Sequence, residues 1–470
     1  MTSPPAIWTL DDLRGRRALV LGLARSGVAA ARFLADAGVA VSAYDRRPAS
    51  ELADAVASLE GRPVSLALGV PPPAVAALLA EADLIVTSPS ISPHFPTTDA
   101  WLRAALVEAE ARGVELVSEV ELFLRLTQSH VLAVTGTKGK TTTASLVAAM
   151  LTAAGVPHLL GGNIGRPLVE EVARLTSDDW AVLELSELQL PTISRGADVA
   201  VYTNIGADHL DRHGSVEAYR AVKGRLAELS GDGVVILNAD DPGCVELAGR
   251  LHGELRWYGL DDATLDAAAA DGWITVAGER LLPVAEVPLP GRHQHADVLA
   301  AALGAVAIGA DPTVIAEAIR GFGGVPHRLE TVAEHGRVRY VNDSQATIPV
   351  AAIAALEAFA APIVLIAGGK DKGLDYAAFA DAAARRCRSV VLLGETADEL
   401  ERLIVGRVAV RRVGDMDAAV SEAAATAQPG DVVLLAPAAA SFDLFEDYVA
   451  RGEAFRRAVA RIGRQQEGER

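Results

Sequence analysis

The stretch VLAVTGTKGKTT, residues 131–142, carries the reading of the whole chain. Residues 131–135 form a short apolar run ending in threonine, as a buried strand would, and residues 141–154 follow a helical pattern. The turn between them is built from Gly136, Thr137, Lys138, Gly139, Lys140, Thr141 and Thr142. Glycines in such a turn let backbone N–H groups point inward around phosphate, and the helix N-terminus adds partial positive charge. A lysine there reaches the β- and γ-phosphates and a threonine hydroxyl can ligate Mg2+. Lys140 and Thr141 stand in those two places. Val134 occupies the position where the general nucleotide-binding loop has a further glycine, so this is a shortened form of it. The expectation is an ATP site with Mg2+.

Outward from this loop, short apolar runs alternate with helical patterns. Upstream, strands are expected at 17–21, 39–44, 84–87 and 114–117, with helices at 26–37 and 99–111. Downstream, strands are expected at 181–185, 199–203 and 234–238, then an irregular β-like region over 253–290 and helices at 296–308 and 312–319. GFGGVP at 321–326 is the strongest punctuation in the chain. Beyond it, strands at 338–341, 363–367, 390–393 and 432–435 again alternate with helices. Such alternation predicts parallel sheets with right-handed crossovers, an α/β protein of three domains. These are a Rossmann-like N-terminal unit over 1–118, a central P-loop ATPase-like domain with a parallel sheet over 119–324, and a Rossmann-like α/β domain over 325–470.

Composition narrows the function class. The 470 residues are 50% hydrophobic and 22% charged, which excludes disorder as a description of the whole. With 43 basic and 61 acidic side chains the net charge is −18, unsuited to binding nucleic acid or an anionic membrane along its length. Cys244 and Cys387 are the two cysteines, without CxxC spacing, so neither a disulfide framework nor a thiolate zinc site is supported. No secretory leader and no spanning run of roughly 18 apolar residues is visible, and a cytoplasmic protein is expected. Among the basic residues 38 are arginine and five are lysine: Lys138, Lys140, Lys223, Lys370 and Lys372. Lysines that persist against such a skew point to tasks that require an amine or a compact ammonium.

Several other positions invite chemistry. Glu184 ends an apolar strand beside the phosphate loop, a suitable place for a Mg2+ ligand or an ordinary strand-end acid. His209 follows another strand in a polar loop, and Lys223 lies on a helix where it reads by itself as a solvated side chain. GLARSG at 22–27, with Asp45 after the next strand, imitates a dinucleotide fingerprint. Ala24 in place of its middle glycine hinders a pyrophosphate, leaving open a uridine or adenine nucleotide, or plain helix–strand packing. Three C-terminal loops, NDSQAT at 342–347, GGKDKG at 368–373 and APAAASFD at 436–443, each follow an expected strand and suggest one shared site.

Taken in order, GTKGKTT, GGNIG at 161–165, ELSELQL at 184–190, DHLDR at 208–212, PHRLE at 326–330, NDSQAT and APAAASFD resemble the Mur ligase family. GLARSG and SPSIS at 88–92 are most similar to its D-glutamate-adding branch. The resemblance implies a cytoplasmic peptidoglycan-precursor ligase whose partners are ATP, UDP-N-acetylmuramoyl-L-alanine and D-glutamate. The L-alanine carboxylate takes the γ-phosphoryl group of ATP to give an acyl phosphate, which the D-glutamate amine then attacks. It further implies that Thr141 and Glu184 hold one Mg2+ and His209 a second, with Lys223 carbamylated by CO2 into a metal ligand. Asn163 is implied near the phosphates, Gln294, Asp297, Arg328 and Asp343 around ATP, and Leu23, Ala24, Asp45, Arg46 and Ser88 around the uridine. Ser186 and Gln189 are implied on the UDP-linked substrate, and Thr347, Lys372, Ser441 and Tyr448 on D-glutamate. A monomer with no nucleic-acid or membrane partner is expected. The chain departs from the family pattern at Gln345 and Ile348, where lysine and asparagine are usual, and in HQHAD at 293–297. A related ligase with another acceptor, including a folylpolyglutamate-type enzyme, and a catalytically silent nucleotide-binding relative are the competing readings.

Overall fold

In the computed structural model, which describes residues 7–206, 210–289, 291–371 and 373–468, the chain divides at Phe322/Gly323 into two units. That division lies inside GFGGVP. Each of three sheets is built from the apolar runs the sequence offers, and each places its functional loops at the carboxyl ends of its strands.

The first sheet is fully parallel, in the order Val64–Leu68, Ala40–Asp45, Arg17–Leu21, Leu84–Thr87, Glu115–Ser118. The chain leaves Arg17–Leu21 toward one side and later returns on the other, so the loops after Leu21 and Thr87 diverge and open a crevice at this switch point. Gly27 lets helix Arg25–Asp36 pack directly on the preceding turn, because a Cβ there would lie 1.8 Å from the Gly22 carbonyl oxygen.

The second sheet runs Glu279–Pro283, Trp273–Val276, Ala267–Ala270, Glu254–Gly259, Val234–Asn238, Val199–Tyr202, His130–Thr135, Trp180–Glu184, His158–Gly162. Its six strands from Glu254–Gly259 to His158–Gly162 are parallel, the parallel sheet expected of the central domain, and the β-like region expected over 253–290 extends it. Residues 267–283 end it with antiparallel pairings, made possible by the tight turns at Gly272 and Gly278. Helix Arg292–Ala307 packs against helix Lys140–Ala153 across this sheet's core. Helix Glu119–Leu126 joins the first two sheets: Glu121, fully buried, accepts from the Ser194 backbone N–H at 2.8 Å.

The third sheet, in the second unit, runs Glu330–His335, Val338–Asn342, Val432–Leu435, Ile363–Ala367, Cys387–Leu392, Ala409–Arg412, with its first strand antiparallel. Val338–Asn342, Val432–Leu435 and Ile363–Ala367 are neighbours in register, Asn342 and Ile366 both opposite Leu435. The loops that follow them therefore leave the same edge side by side.

Candidate active site

The phosphate loop opens at the end of His130–Thr135, flanked by the ends of Trp180–Glu184 and Val199–Tyr202, with Val134 opposite Glu184 and Thr135 opposite Tyr202. Gly136 has φ +150°, and a Cβ there would come within 1.9 Å of Thr203 Oγ1, so only glycine fits. Asn204 clasps the loop: its carbonyl accepts from Thr137 N–H at 2.9 Å and its side-chain oxygen from Lys138 N–H at 3.0 Å. Lys140 Nζ donates to the carbonyls of Gly136 and Thr137 at 3.0 and 3.1 Å. Thr141 and Thr142 form the first turn of helix Lys140–Ala153, and Asp297 is buried beside Gly139, with Gln294 half-buried on the same helix Arg292–Ala307.

Two features surround this cradle. Glu184 is buried, and its Oε1 accepts from Asn163 Nδ2 at 2.7 Å while Oε2 is buried without a hydrogen-bond partner. A carboxylate oxygen left so is costly unless a cation completes it, so this donor suits Mg2+. Lys223 is fully buried, which overturns its reading as a solvated helix lysine. Its Nζ donates to Thr135 Oγ1 at 3.2 Å and to the Gly136 carbonyl at 3.0 Å, so two ammonium groups converge on one loop carbonyl. The signal was present: Tyr219, Lys223, Leu226 and Ala227 share a helical stripe, and the other three are apolar and buried. Tyr219 adds a contact between its hydroxyl and Thr137 Oγ1 at 3.1 Å. His209 lies outside the described residues.

At the first sheet's switch point a cavity of about 480 Å³ is lined by Gly22, Ala24, Asp45, Arg46 and Ser88 among others. Leu23 instead points into the core and offers its backbone N–H to Asp45 at 2.9 Å. Burial opposes ionisation of Asp45, but hydrogen bonds from the Arg47 side chain and backbone and from Leu23 outweigh it and hold the carboxyl at about 2. Ser186 and Gln189, expected on substrate, bond each other, Gln189 Oε1 accepting from Ser186 N–H at 3.0 Å and Oγ at 3.1 Å. The cavity also takes Arg212, from helix Leu210–His213, whose side chain sequence reasoning left unassigned.

In the second unit, Arg328 and Asp343 line a cavity of about 310 Å³ together with Gln345 and Ala346. Arg328 sits between His327 and Leu329, which both hold left-handed φ of +62° and +44°, a strained arrangement for side-chain-bearing residues. Burial pushes the Asp343 carboxyl up to about 6, partly offset by the Leu329 N–H and the charge of Arg328. Thr347 is half-buried, Ser441 buried, and Tyr448 packs edge-on against His327 at 6.2 Å between ring centroids. Lys372 lies outside the described residues. Reading the motifs missed Arg451, a fully buried guanidinium on helix Tyr448–Gly468. It donates to Ser344 Oγ at 3.0 Å, Ser344 O at 2.9 Å, Ala439 O at 3.1 Å and Ala440 O at 3.0 Å. Ala440 O also accepts from Lys370 N–H at 2.9 Å, so the arginine fastens two of the three loops directly and meets the third at a shared carbonyl.

A phosphate loop on the middle of three α/β sheets defines a P-loop nucleotide-binding protein. Sequence profiles sharpen that class: residues 16–118 match "Mur ligase MurD-like, N-terminal domain", 134–305 the Mur ligase middle domain, and 327–439 the Mur ligase glutamate ligase domain. The chain belongs to the Mur ligase family. It is 41% identical to a UDP-N-acetylmuramoylalanine–D-glutamate ligase of Solibacter usitatus, over 95% of this chain and 98% of that protein. Identity to the protein of that name from Acidobacterium capsulatum is 40%, covering 95% and 97%. A UDP-N-acetylmuramate–alanine ligase structure from Thermotoga maritima shares the fold, with TM-score 0.53 at 19% identity over 95% of this chain and 99% of that one.

Proposed function

We propose that the chain is an ATP-dependent ligase joining D-glutamate to the L-alanine carboxylate of UDP-N-acetylmuramoyl-L-alanine, with release of ADP and phosphate. Family membership supports the reaction class. The observation that carries the site is the convergence of Lys140 and Lys223 on Gly136 beside the unpartnered oxygen of Glu184. In this reading residues 1–118 hold the uridine end of the substrate, 119–324 hold ATP, and 325–470 hold D-glutamate. It acts as a cytoplasmic monomer without nucleic-acid or membrane partners; among the described residues no helix is long and apolar enough to cross a membrane.

The chemistry needs positioning and charge neutralisation more than covalent help. Lys140 leaves the loop carbonyls to meet the β- and γ-phosphates, while Gly136 to Thr142 cradle them and Asn163 keeps Glu184 oriented. Thr141 and Glu184 would hold Mg2+, which when bound offsets phosphate charge as the γ-phosphoryl group moves to the alanine carboxylate. A second ion would rest on His209 and on Lys223 once CO2 has converted its amine to a carbamate. Gln294, Asp297, Arg328 and Asp343 bind the rest of ATP. Thr347, Lys372, Ser441 and Tyr448 orient the D-glutamate amine toward the acyl phosphate.

Phosphate release from Mg-ATP and UDP-N-acetylmuramoyl-L-alanine tests this, with D-glutamate, L-glutamate, glycine or L-lysine added in turn. Release confined to D-glutamate is expected. Release with a different amino acid keeps the ligase class and changes the acceptor; release with none overturns the reading.

A further inference from the structure

Arg212 stands apart from every residue given a role above. It belongs by sequence to the central domain, on the short helix Leu210–His213, yet it lines the cavity at the first sheet's switch point. Its helix is seated there by the neighbouring His213, whose ring meets Phe95 edge-on at 6.2 Å between centroids and Tyr219 at 5.4 Å. Phe95 is buried in the loop that runs from Ser88 along the cavity wall. The guanidinium of Arg212 makes no ion pair or hydrogen bond among the described residues, and its Nε is buried without a partner. That is unusual here, because most arginines among the described residues are ion-paired, Arg16, Arg125 and Arg388 among them. Arg47, across the same cavity, is committed to Asp45 by bonds of 2.9 and 3.0 Å.

A partly buried guanidinium with nothing to neutralise it is a planar donor awaiting an anion. Of the cavity's two acids, Asp45 is already saturated by Arg47 and Leu23, and Asp99, exposed at the rim, makes no ion pair with Arg212 among the described residues. The anion must therefore come with the ligand. We infer that Arg212 binds the diphosphate of the UDP-linked substrate, reaching from the central domain into the N-terminal cavity; the inference rests on the functional reading above. A uridine held by the Asp45–Arg46 end places its diphosphate farther along the cavity, and the sugar and peptide continue toward the phosphate loop. Arg212 is thus a substrate-binding residue that couples the two domains of the first unit through the substrate's charge.

The test compares UDP with uridine as competitive inhibitors, in the wild-type enzyme and in Arg212→Ala, Arg212→Gln and Arg212→Lys, alongside KM for each substrate. In the Ala and Gln variants, UDP should weaken by about 10- to 100-fold, the range of a lost charge-assisted hydrogen-bond pair, while uridine changes little. KM for UDP-N-acetylmuramoyl-L-alanine should rise by the same factor, with KM for ATP and D-glutamate unchanged, and Lys should restore part of the loss. Equal weakening of UDP and uridine would assign Arg212 a structural role and overturn the inference, as would unaltered UDP inhibition in both Ala and Gln variants. A wild-type chain that UDP does not inhibit and that releases no phosphate overturns instead the functional reading on which this rests.

Discussion

The phosphate loop and the C-terminal loop cluster solve the same problem in different ways. Both must hold irregular backbone at the carboxyl ends of parallel strands. The phosphate loop is closed locally: strand, turn and helix are continuous from His130 to Ala153, and its backbone is clasped further by Thr203 and Asn204 on the adjoining strand end and by Lys223. The C-terminal loops start on three strands far apart in sequence and are joined by Arg451, a residue of none of them. A locally closed site is written as a motif. A site fastened from elsewhere is not, and its most consequential residue looks like an ordinary helix arginine.

Four substitutions probe that contrast, in descending order of effect. Lys223→Arg keeps a cation but cannot form a carbamate, and should lower kcat on the order of 10³-fold in the phosphate-release assay. Lys223→Ala should regain part of its activity with added acetate or formate. A fully active Arg variant would sink the carbamate and leave the lysine as loop support. Arg451→Ala strands two buried carbonyls, those of Ser344 and Ala439, and takes one of two donors from Ala440, at a cost of about 4 kcal/mol. Amide hydrogen exchange across residues 343–348 and 436–443 should then speed up by nearly a thousandfold, with a raised KM for D-glutamate, and Arg451→Lys should show about half the energetic loss. Unchanged exchange in those loops would remove the arginine from its fastening role.

The third concerns Asp343. Burial raises its carboxyl from 3.8 to about 6, so ionising it disfavours the folded state. Stability from this group is full below about 4, falls as pH rises toward 6 and is level above, by about 3 kcal/mol in total. Asp343→Asn should flatten that slope in thermal unfolding measured from pH 4 to 8, and an identical slope in both proteins would contradict the assignment. The smallest effect is expected for Gln345→Lys, which adds an ammonium to the cavity that Asp343 lines. The acid limb of kcat should move down by about one pH unit as the carboxylate is favoured, with kcat raised about twofold. A large loss would mean that the pocket is built around glutamine.

What the sequence made legible follows burial. Strands Arg17–Leu21, Leu84–Thr87, Val234–Asn238, Ile363–Ala367 and Val432–Leu435 were expected at those bounds, because interior parallel strands are buried on both faces and read as unbroken apolar runs. The strands not foreseen lie at sheet edges or hairpins: Val64–Leu68 and Ala409–Arg412 are half-exposed, His158–Gly162 ends in glycines, and Glu330–His335 alternates polar residues. With one neighbour instead of two, their side chains face water and the apolar signal is diluted. Among site residues the phosphate loop was legible for the same local reason. Leu23 shows the reverse limit: a residue adjoining a ligand turn can serve through its backbone while its side chain belongs to the core.

The position of Arg451 also sets a schedule for synthesis. Chains emerge from the ribosome N-terminus first, and domains tend to fold as they appear. The first unit, with the phosphate loop, can reach its final form while the second is still being translated. The strand at the middle of the third sheet, Val432–Leu435, lies close to Arg451 in sequence, so both leave the ribosome only as synthesis ends. Until then the loops after Asn342 and Ala367 have neither the strand between them nor the arginine that ties them. A nascent chain stalled short of that point should hold nucleotide and UDP-linked ligands well before it can discriminate among amino acids, so acceptor selectivity is the last property the polypeptide acquires.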